Sequence, residues 1–151
     1  MKNIDEKVIE EILKRLLQEY IPRKEFCEIV KSKAQSGVTG IRGSSVKCES
    51  FDTGKPGDRV YLKDMLTLEE NSNLACGFME MEKSEFDWTL NYDEVDYIIE
   101  GTLVIKTEGS EITGNAGDVI MIPKGSSISF SAPGYVKFFY VTYPANWSET
   151  K

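Results

Sequence analysis

From Val46 onward the chain consists of short segments rich in β-branched and aromatic residues, separated by turn residues. Turns such as Gly54-Lys55-Pro56-Gly57 and Pro133-Gly134 recur at intervals of about 8–12 residues. Segments of this length and spacing predict an all-β sandwich or barrel. The predicted strands cover residues 46–51, 58–63, 74–82, 86–90, 95–99, 102–106, 111–113, 118–122, 127–131 and 136–143.

Two glycine-bounded segments define the type of barrel more closely. Residues 117–128 (Gly-Asp-Val-Ile-Met-Ile-Pro-Lys-Gly-Ser-Ser-Ile) match the second motif of the cupin superfamily at every spacing. Residues 94–101 (Glu-Val-Asp-Tyr-Ile-Ile-Glu-Gly) match the end of the first motif, with Glu94 seven residues before Gly101. This resemblance implies an all-β cupin, or jelly-roll, β-barrel over residues 46–151.

The chain contains no histidine, although cupins are best known for binding metal through histidine. Of the ligand positions that the motifs define, only Glu94 keeps the residue type of the superfamily. The histidine positions fall on Trp88 and Leu90, or on Asp87 and Thr89 with a spacer one residue longer, and on Ile128. Because soft divalent ions need imidazole or thiolate donors, we expect no transition metal in the barrel. The same absence excludes Ser-His-Asp and Cys-His nucleophilic schemes.

A longer run of residues narrows the resemblance. Residues 86–94 read Phe-Asp-Trp-Thr-Leu-Asn-Tyr-Asp-Glu, and residues 140–147 read Tyr-Val-Thr-Tyr-Pro-Ala-Asn-Trp. With the motifs between them, these residues resemble the EutQ family of ethanolamine utilisation proteins over residues 74–147. The resemblance implies a role in bacteria that degrade ethanolamine inside protein-shelled microcompartments. It also implies an acetate kinase activity, which interconverts acetyl phosphate and ADP with acetate and ATP.

Charge and cysteine content exclude several other classes of protein. The formal net charge is −7, and residues 61–151 carry 15 acidic against 6 basic side chains. An acidic domain is unsuited to neutralising phosphates, so we expect no nucleic-acid partner. No apolar run approaches the roughly 20 residues that a membrane-spanning helix needs. The three cysteines are odd in number and far apart, which is typical of reduced thiols in a cytoplasmic protein.

The N-terminal segment has the pattern of an amphipathic helix. In residues 3–20, Ile4, Val8, Ile12, Leu16 and Tyr20 recur every four positions, with charged residues between them. One such helix cannot bury its own stripe. It packs either on its own barrel or a dimer partner, or it acts as an address that recruits the protein to a microcompartment shell or an enzyme inside it. We predict a helical extension over residues 1–33, a flexible Gly-rich linker over 34–45, the barrel over 46–151, and a homodimer formed through an exposed sheet edge.

The first motif lies in an acidic stretch, and Glu94 is the centre of the candidate site. Because side chains alternate along a strand, Asp96 shares the face of Glu94, whereas Tyr97 lies on the other face. Two carboxylates this close repel each other, so one pKa rises. We predict Glu94 and Asp96 as catalytic residues or as an oxygen-only Mg²⁺ site, with Tyr92 and Tyr97 orienting substrate. The alternative is that these acids only face solvent or pair with cations around a sealed barrel mouth.

The candidate substrate-binding residues are Glu80, Glu82, Asp87, Tyr140 and Arg42. Phosphoryl transfer needs Mg²⁺ and cations to offset the developing negative charge. Few cations are available in this acidic domain, and Arg42 lies in the predicted linker. Two functions therefore remain open: a Mg²⁺-dependent acetate kinase that uses ATP and ADP, and a non-catalytic assembly or recruitment protein that acts through the N-terminal helix and a metal-free barrel.

Overall fold

The computed structural model describes residues 9–10, 28–71 and 73–149 of the chain. Within these ranges the fold is almost entirely β, as the sequence predicts. Short 3-10 turns occur at Gly43–Ser45 and Trp147–Glu149. The strands are β1 (Lys31–Lys33), β2 (Thr39–Ile41), β3 (Glu49–Ser50), β4 (Val60–Asp64), β5 (Ala75–Thr89), β6 (Asp93–Thr107), β7 (Ser110–Asn115), β8 (Val119–Ile122) and β9 (Ser127–Tyr143).

The strands β5, β6 and β9 are each continuous where the sequence predicted two shorter segments. In β5, the pairing register shifts between Glu82 and Ser84, and the intervening Lys83 has a φ of 45°. In β6, Gly101 has a φ of 76°, and a Cβ there would collide with the backbone of Tyr135. Residues that look like turns in the sequence therefore bend long strands around the barrel without ending them.

The main sheet follows the order β3-β4-β5-β9-β6-β7, and β8 pairs with β6. The last strand, β9, thus lies between β5 and β6 and is antiparallel to both. In the pairing of β6 with β8, Glu94 stands opposite Ile122 and Asp96 opposite Ile120. This register places both carboxylates on the inner face of the barrel, among apolar side chains.

The core fills the barrel interior with inward-facing residues from every long strand. Burying each of the larger side chains completely contributes about 1.5–3 kcal/mol relative to leaving it exposed. The most completely buried large apolar side chains are those of Phe138, Met81, Leu90, Ile98 and Leu103.

The segment before the barrel is more regular than a flexible linker. Strands β1 and β2 pair as a hairpin that turns at Gly37, whose φ is 90°. The Val30 N–H donates to the Ser45 hydroxyl oxygen at 2.9 Å, which ties the hairpin to the following 3-10 turn. The glycines of the predicted linker thus serve a hairpin and a tight turn.

The amphipathic helix predicted over residues 3–20 lies outside the described residues, apart from residues 9–10, which are helical. The division of the chain into extension, linker and barrel stays a prediction. Within the described ranges, no helix combines the length and the apolar character needed to cross a membrane.

Candidate functional site

The inner face of β5 settles which residues occupy the histidine positions of the first motif. Phe86 and Leu90 are buried and Trp88 is half-buried with its ring toward the interior, whereas Asp87 and Thr89 are exposed on the outer face. Trp88 and Leu90 therefore occupy those positions. Ile128, at the histidine position of the second motif, is buried in the core. The positions that carry histidine in metal-binding cupins are therefore apolar in this chain.

Aromatic rings close the mouth of the barrel above this surface. The ring centroids of Phe51 and Trp88 are 5.8 Å apart, those of Trp88 and Trp147 are 6.5 Å apart, and those of Tyr92 and Trp147 are 6.2 Å apart. The space left beneath the rings is only about 20 Å³. A cavity of that size holds about one water molecule. In this conformation the interior has no room for a nucleotide.

Glu94 and Asp96 lie side by side on the inner face of β6. Asp96 is fully buried and Glu94 is nearly so. Burial raises the pKa of Glu94 to about 7. It also raises the pKa of Asp96 well above its usual range, and the neighbouring Glu94 carboxylate adds to that rise. Near neutral pH the pair therefore retains a proton that isolated carboxylates would have lost.

Asp96 is short of hydrogen-bond donors. In the part of the chain that the structure describes, neither of its carboxylate oxygens has a well-formed hydrogen bond, and neither does the hydroxyl of Thr142 beside it. Thr142 stands directly opposite Glu94 in the pairing of β6 with β9. Leaving buried polar groups unpaired costs free energy of folding. This corner of the barrel therefore contains polar groups that still lack hydrogen-bond partners.

Tyr92 connects the carboxylates to the aromatic mouth. The Trp88 Nε1–H donates to the Tyr92 hydroxyl oxygen at 2.8 Å. The Tyr92 hydroxyl in turn lies next to Glu94, and burial followed by the Glu94 charge raises the pKa of Tyr92. A neutral phenol held in this way can donate a hydrogen bond to the carboxylate or to a substrate oxygen.

The pair of carboxylates does not fit a hydrated Mg²⁺ ion. Mg²⁺ requires octahedral oxygen coordination and usually keeps several water molecules. The cavity beside Glu94 has room for about one, and Asp96 presents no accessible surface. Among the described residues, no three acidic or cysteine side chains converge to form a metal site. A Mg²⁺ ion used by this protein therefore needs another location.

Tyr97 does not belong to this cluster, and its predicted role beside Glu94 does not fit the structure. Its side chain is 46% exposed on the outer face of the sheet, between the exposed Val95 and Ile99. The alternation of side chains along β6 puts it there, because it is an odd number of residues from Glu94. Of the four predicted catalytic residues, Tyr92, Glu94 and Asp96 come together.

Three of the predicted substrate-binding residues also lie on the outer surface of β5. The Glu80 carboxylate accepts from Lys137 at 2.7 Å, and Glu82 forms an ion pair with Arg59 at 3.2 Å. The Ser129 hydroxyl donates to Asp87. These acids face away from the carboxylate pair, so the alternative of structural ion pairs describes them better.

Arg42 is exposed and precedes the 3-10 turn that begins at Gly43. It is not among the described residues that line the mouth of the barrel. The structure therefore does not bring it to the site.

Tyr140, the remaining candidate, is buried at the mouth and leads to residues that the sequence did not identify. Its hydroxyl donates to Asp64 Oδ1 at 2.7 Å, and the Trp147 Nε1–H donates to the same oxygen at 3.3 Å. A Cβ on Gly77 would collide with the Tyr140 hydroxyl and the Lys63 carbonyl. No motif marks Asp64, since it comes from β4 and meets the site only through the fold.

A second and much larger space lies on the other side of Trp147. This outer cleft has a volume of about 600 Å³. Lys31, Lys63, Asp64 and Thr67 contribute polar groups to its wall, and Trp147 lines both the cleft and the barrel mouth. The volume falls in the range of about 300–1,000 Å³ that is usual for small-molecule sites.

Comparison with known proteins identifies relatives along nearly the whole chain. The family model for "Ethanolamine utilisation protein EutQ" matches residues 4–149. The "Acetate kinase EutQ" of Clostridioides difficile is 47% identical over 98% of this chain and 97% of its own length. The protein of the same name from Salmonella typhimurium is 41% identical over 91% of this chain, but this chain spans only 63% of that longer relative.

Solved structures agree with the sequence comparison. The structure of the Clostridium difficile EutQ protein superposes with a TM-score of 0.79 at 50% identity, covering 82% of this chain and 93% of that one. The cupin domain of Schizosaccharomyces pombe Cnp3 superposes with a TM-score of 0.60 at 14% identity, covering 80% of this chain and 90% of that one. The second likeness concerns the fold alone and confirms the cupin barrel.

Proposed function

The chain belongs to the family of the ethanolamine utilisation protein EutQ, and from that premise we propose that it works as an acetate kinase. The reaction transfers a phosphoryl group between acetyl phosphate and ADP, giving acetate and ATP. The observation that carries the proposal is the near-full-length identity with a relative named for this activity. We place this activity in the cytoplasm, in a microcompartment where ethanolamine is degraded.

The cluster of Tyr92, Glu94 and Asp96 is the part of the barrel best suited to the acyl end of the reaction. Acetate and acetyl phosphate present a carbonyl or carboxylate oxygen, which a neutral phenol or a protonated carboxyl can hold by a hydrogen bond. The raised pKa of Glu94 keeps such a donor available near pH 7. Asp96 lies beside Glu94 on the same buried face of β6 and so acts on it as a positioning residue.

The acyl group requires the aromatic mouth to open. A space of about 20 Å³ does not admit acetate beside Glu94. Trp147 is the ring that separates this space from the outer cleft. Displacement of Trp147 would connect the two spaces, so we place the entry of substrate at this ring. Mg²⁺ would arrive with the nucleotide, since the carboxylate pair does not fit it.

The test is formation of ATP from acetyl phosphate and ADP by purified protein, with and without Mg²⁺. We expect turnover that requires Mg²⁺ and that falls about tenfold or more in Glu94→Leu, which removes the hydrogen-bond donor proposed for the acyl oxygen. Glu100→Leu is the matched control, because Glu100 lies on the same strand but its side chain is exposed. Equal turnover in the two variants would show that the barrel is not the catalytic site.

One observation favours a second candidate function, that of a non-catalytic recruitment protein. The barrel interior is nearly filled, and a protein that acts only by recruiting others needs no internal cavity. In that case residues 1–21 would attach the protein to a microcompartment shell or to an enzyme inside it. Deleting them would abolish recruitment in cells while the purified barrel keeps its thermal unfolding midpoint. Recruitment unchanged by the deletion would contradict this function.

We also propose that the protein forms a homodimer, through a sheet face in place of the predicted edge. Neighbouring strands expose apolar side chains in register, with Val95 opposite Met121 and Tyr97 opposite Val119. A contiguous apolar patch on a sheet usually marks an interface, and two copies related by a twofold axis bring the same patch together. Sedimentation velocity should report a dimer that Tyr97→Glu converts to a monomer. A monomer at all concentrations would contradict the proposal.

A further inference from the structure

The outer cleft and the barrel mouth meet at one residue. Trp147 packs on Tyr140 with ring centroids 6.4 Å apart, and its Nε1–H donates to Asp64 at 3.3 Å. Both Asp64 and Trp147 also line the cleft. A molecule in the cleft would therefore lie beside the ring that covers Tyr92 and Glu94. Of the two spaces, only the cleft has the volume for a molecule larger than acetate.

Two lysines supply the cations that the barrel interior lacks. Lys31 forms an ion pair with Glu70 at 2.7 Å, and Lys63 forms one with Glu49 at 2.8 Å. Both side chains line the cleft. Both lysine side chains are partly exposed, by 24% for Lys31 and 33% for Lys63. Because ion pairs that solvent reaches contribute only about 0–1 kcal/mol, a phosphate oxygen can replace the carboxylate partner of each lysine.

The cleft is also lined by acidic side chains. The presence of both charge signs favours some classes of ligand over others. Glu28 and Asp64 line it together with the two lysines. A free phosphate would meet both attraction and repulsion. A nucleotide that carries Mg²⁺ needs both signs, because lysines bind phosphate oxygens while Mg²⁺ is usually held by one or two carboxylates and the substrate phosphates. The Tyr140 hydroxyl and the Trp147 Nε1–H both donate to Asp64 Oδ1, so Oδ2 is the oxygen that would bind the ion.

We propose that the outer cleft is the nucleotide site, in which Lys31 and Lys63 bind the phosphates of a Mg²⁺-bound nucleoside diphosphate and Asp64 holds the Mg²⁺. The inference rests on the acetate kinase function and gives it a location. The terminal phosphate would then point toward the barrel mouth, where the acyl group binds.

A rival groove provides the control. It has a volume of about 340 Å³, touches Trp88 from the outer side, and is lined by Lys106. Lys106 forms an ion pair with Glu85 at 2.6 Å, which resembles the pairs of Lys31 and Lys63. A lysine variant at this position therefore removes the same charge from a similar setting outside the cleft.

The experiment is titration calorimetry of ADP with Mg²⁺ into the full chain and into Lys31→Gln, Lys63→Gln and Lys106→Gln. We expect the dissociation constant to rise about tenfold or more in each of the first two variants, since each loses a charge-assisted hydrogen bond. Lys106→Gln should bind like the unmodified chain. Near-equal thermal unfolding midpoints would show that the three variants are folded.

Measuring turnover on the same samples distinguishes a wrong nucleotide site from a wrong kinase function. No ADP binding by the unmodified chain, normal binding by Lys63→Gln, or lost binding by Lys106→Gln would each overturn the nucleotide site. If turnover persists in any of those cases, the kinase function stands and only its location is wrong. Binding that depends on Lys31 and Lys63 without any turnover would instead keep the site and remove the function.

Discussion

The two spaces that meet at Trp147 differ in almost every property. The inner one is about 20 Å³, lined mainly by aromatic and aliphatic side chains, and its polar groups are buried. The outer one is about 600 Å³ and carries charges of both signs. The first resembles a core and the second resembles a binding site. In this histidine-free barrel the interior is thus nearly filled, and the larger space lies outside it.

Adding a single methyl group at Gly77 should disrupt the packing between the two spaces. In Gly77→Ala, the new Cβ would collide with the Tyr140 hydroxyl and the Lys63 carbonyl. We expect the free energy of unfolding to fall by about 3 kcal/mol, the upper end of the usual cost of overpacking. Denaturant unfolding measures it, and Gly134→Ala, where a Cβ has open space, is the control. Similar losses in both variants would mean that Gly77 has no special role in the wall.

The inner space should make stability depend on pH. The pKa of Glu94 is about 7 in the folded chain, against an ordinary value of 4.5. Between these values the folded state holds more protons than the unfolded state, so stability falls as pH rises. We expect Glu94→Gln to reduce that fall by about 2 kcal/mol between pH 5 and 8.

Thermal and denaturant unfolding at several pH values provide the measurement for Glu94. The matched control is Glu100→Gln, whose side chain is exposed on the same strand. It should keep the pH dependence of the unmodified chain. A Glu94→Gln profile parallel to that of the control would rule out a buried, proton-holding pair.

Asp64 lines the outer cleft and accepts hydrogen bonds from two residues that line the inner space. Removing its side chain should have an intermediate effect on the free energy of unfolding. Asp64→Ala leaves the Tyr140 hydroxyl and the Trp147 Nε1–H without their acceptor. We expect a loss of about 1.5 kcal/mol, which is typical of a bond to a charged group. We also expect a change in tryptophan fluorescence, because Trp88 and Trp147 are the chain's two tryptophans and both line the inner space. Unchanged emission would mean that Asp64 does not hold Trp147 in place.

The smallest effect on stability is expected in the outer cleft. Lys63→Gln removes an exposed ion pair with Glu49, which contributes less than about 1 kcal/mol. The denaturation midpoint should therefore barely move, although nucleotide binding is expected to weaken. A large loss of stability would show that Lys63 supports the fold and would weaken its assignment to a ligand.

The sequence predicted the barrel because motif glycines and alternating side chains are local signals. Gly101 and Glu94 lie where the spacing requires them, and the alternation that buries Glu94 also buries Asp96. The choice between Trp88 and Asp87 could not be made from spacing, since a shift of one residue moves a side chain to the opposite face. Strand ends were wrong at Lys83 and near Gly101, because residues typical of turns can also bend a strand.

The outer cleft could not have been predicted in the same way. Its wall combines Lys31 from the N-terminal hairpin, Lys63 and Asp64 from β4, and Trp147 from the C-terminal turn. No two of these strands or turns share a motif, and only the tertiary fold brings them together. The prediction for Tyr97 failed for the opposite reason. Tyr97 is close to Glu94 in sequence, but its side chain lies on the other face of the sheet.

The central position of β9 has a consequence for how the protein is made. Because β9 lies between β5 and β6 in the sheet, those two long strands lack their shared neighbour until residues 127–143 have been synthesised. A ribosome adds about 5–20 residues per second, so the nascent chain carries two unpaired strand edges for several seconds. Such edges are prone to pair with other chains. Closure of the barrel must therefore wait until β9 has left the ribosome, and a truncation before β9 leaves a product for chaperones or proteases.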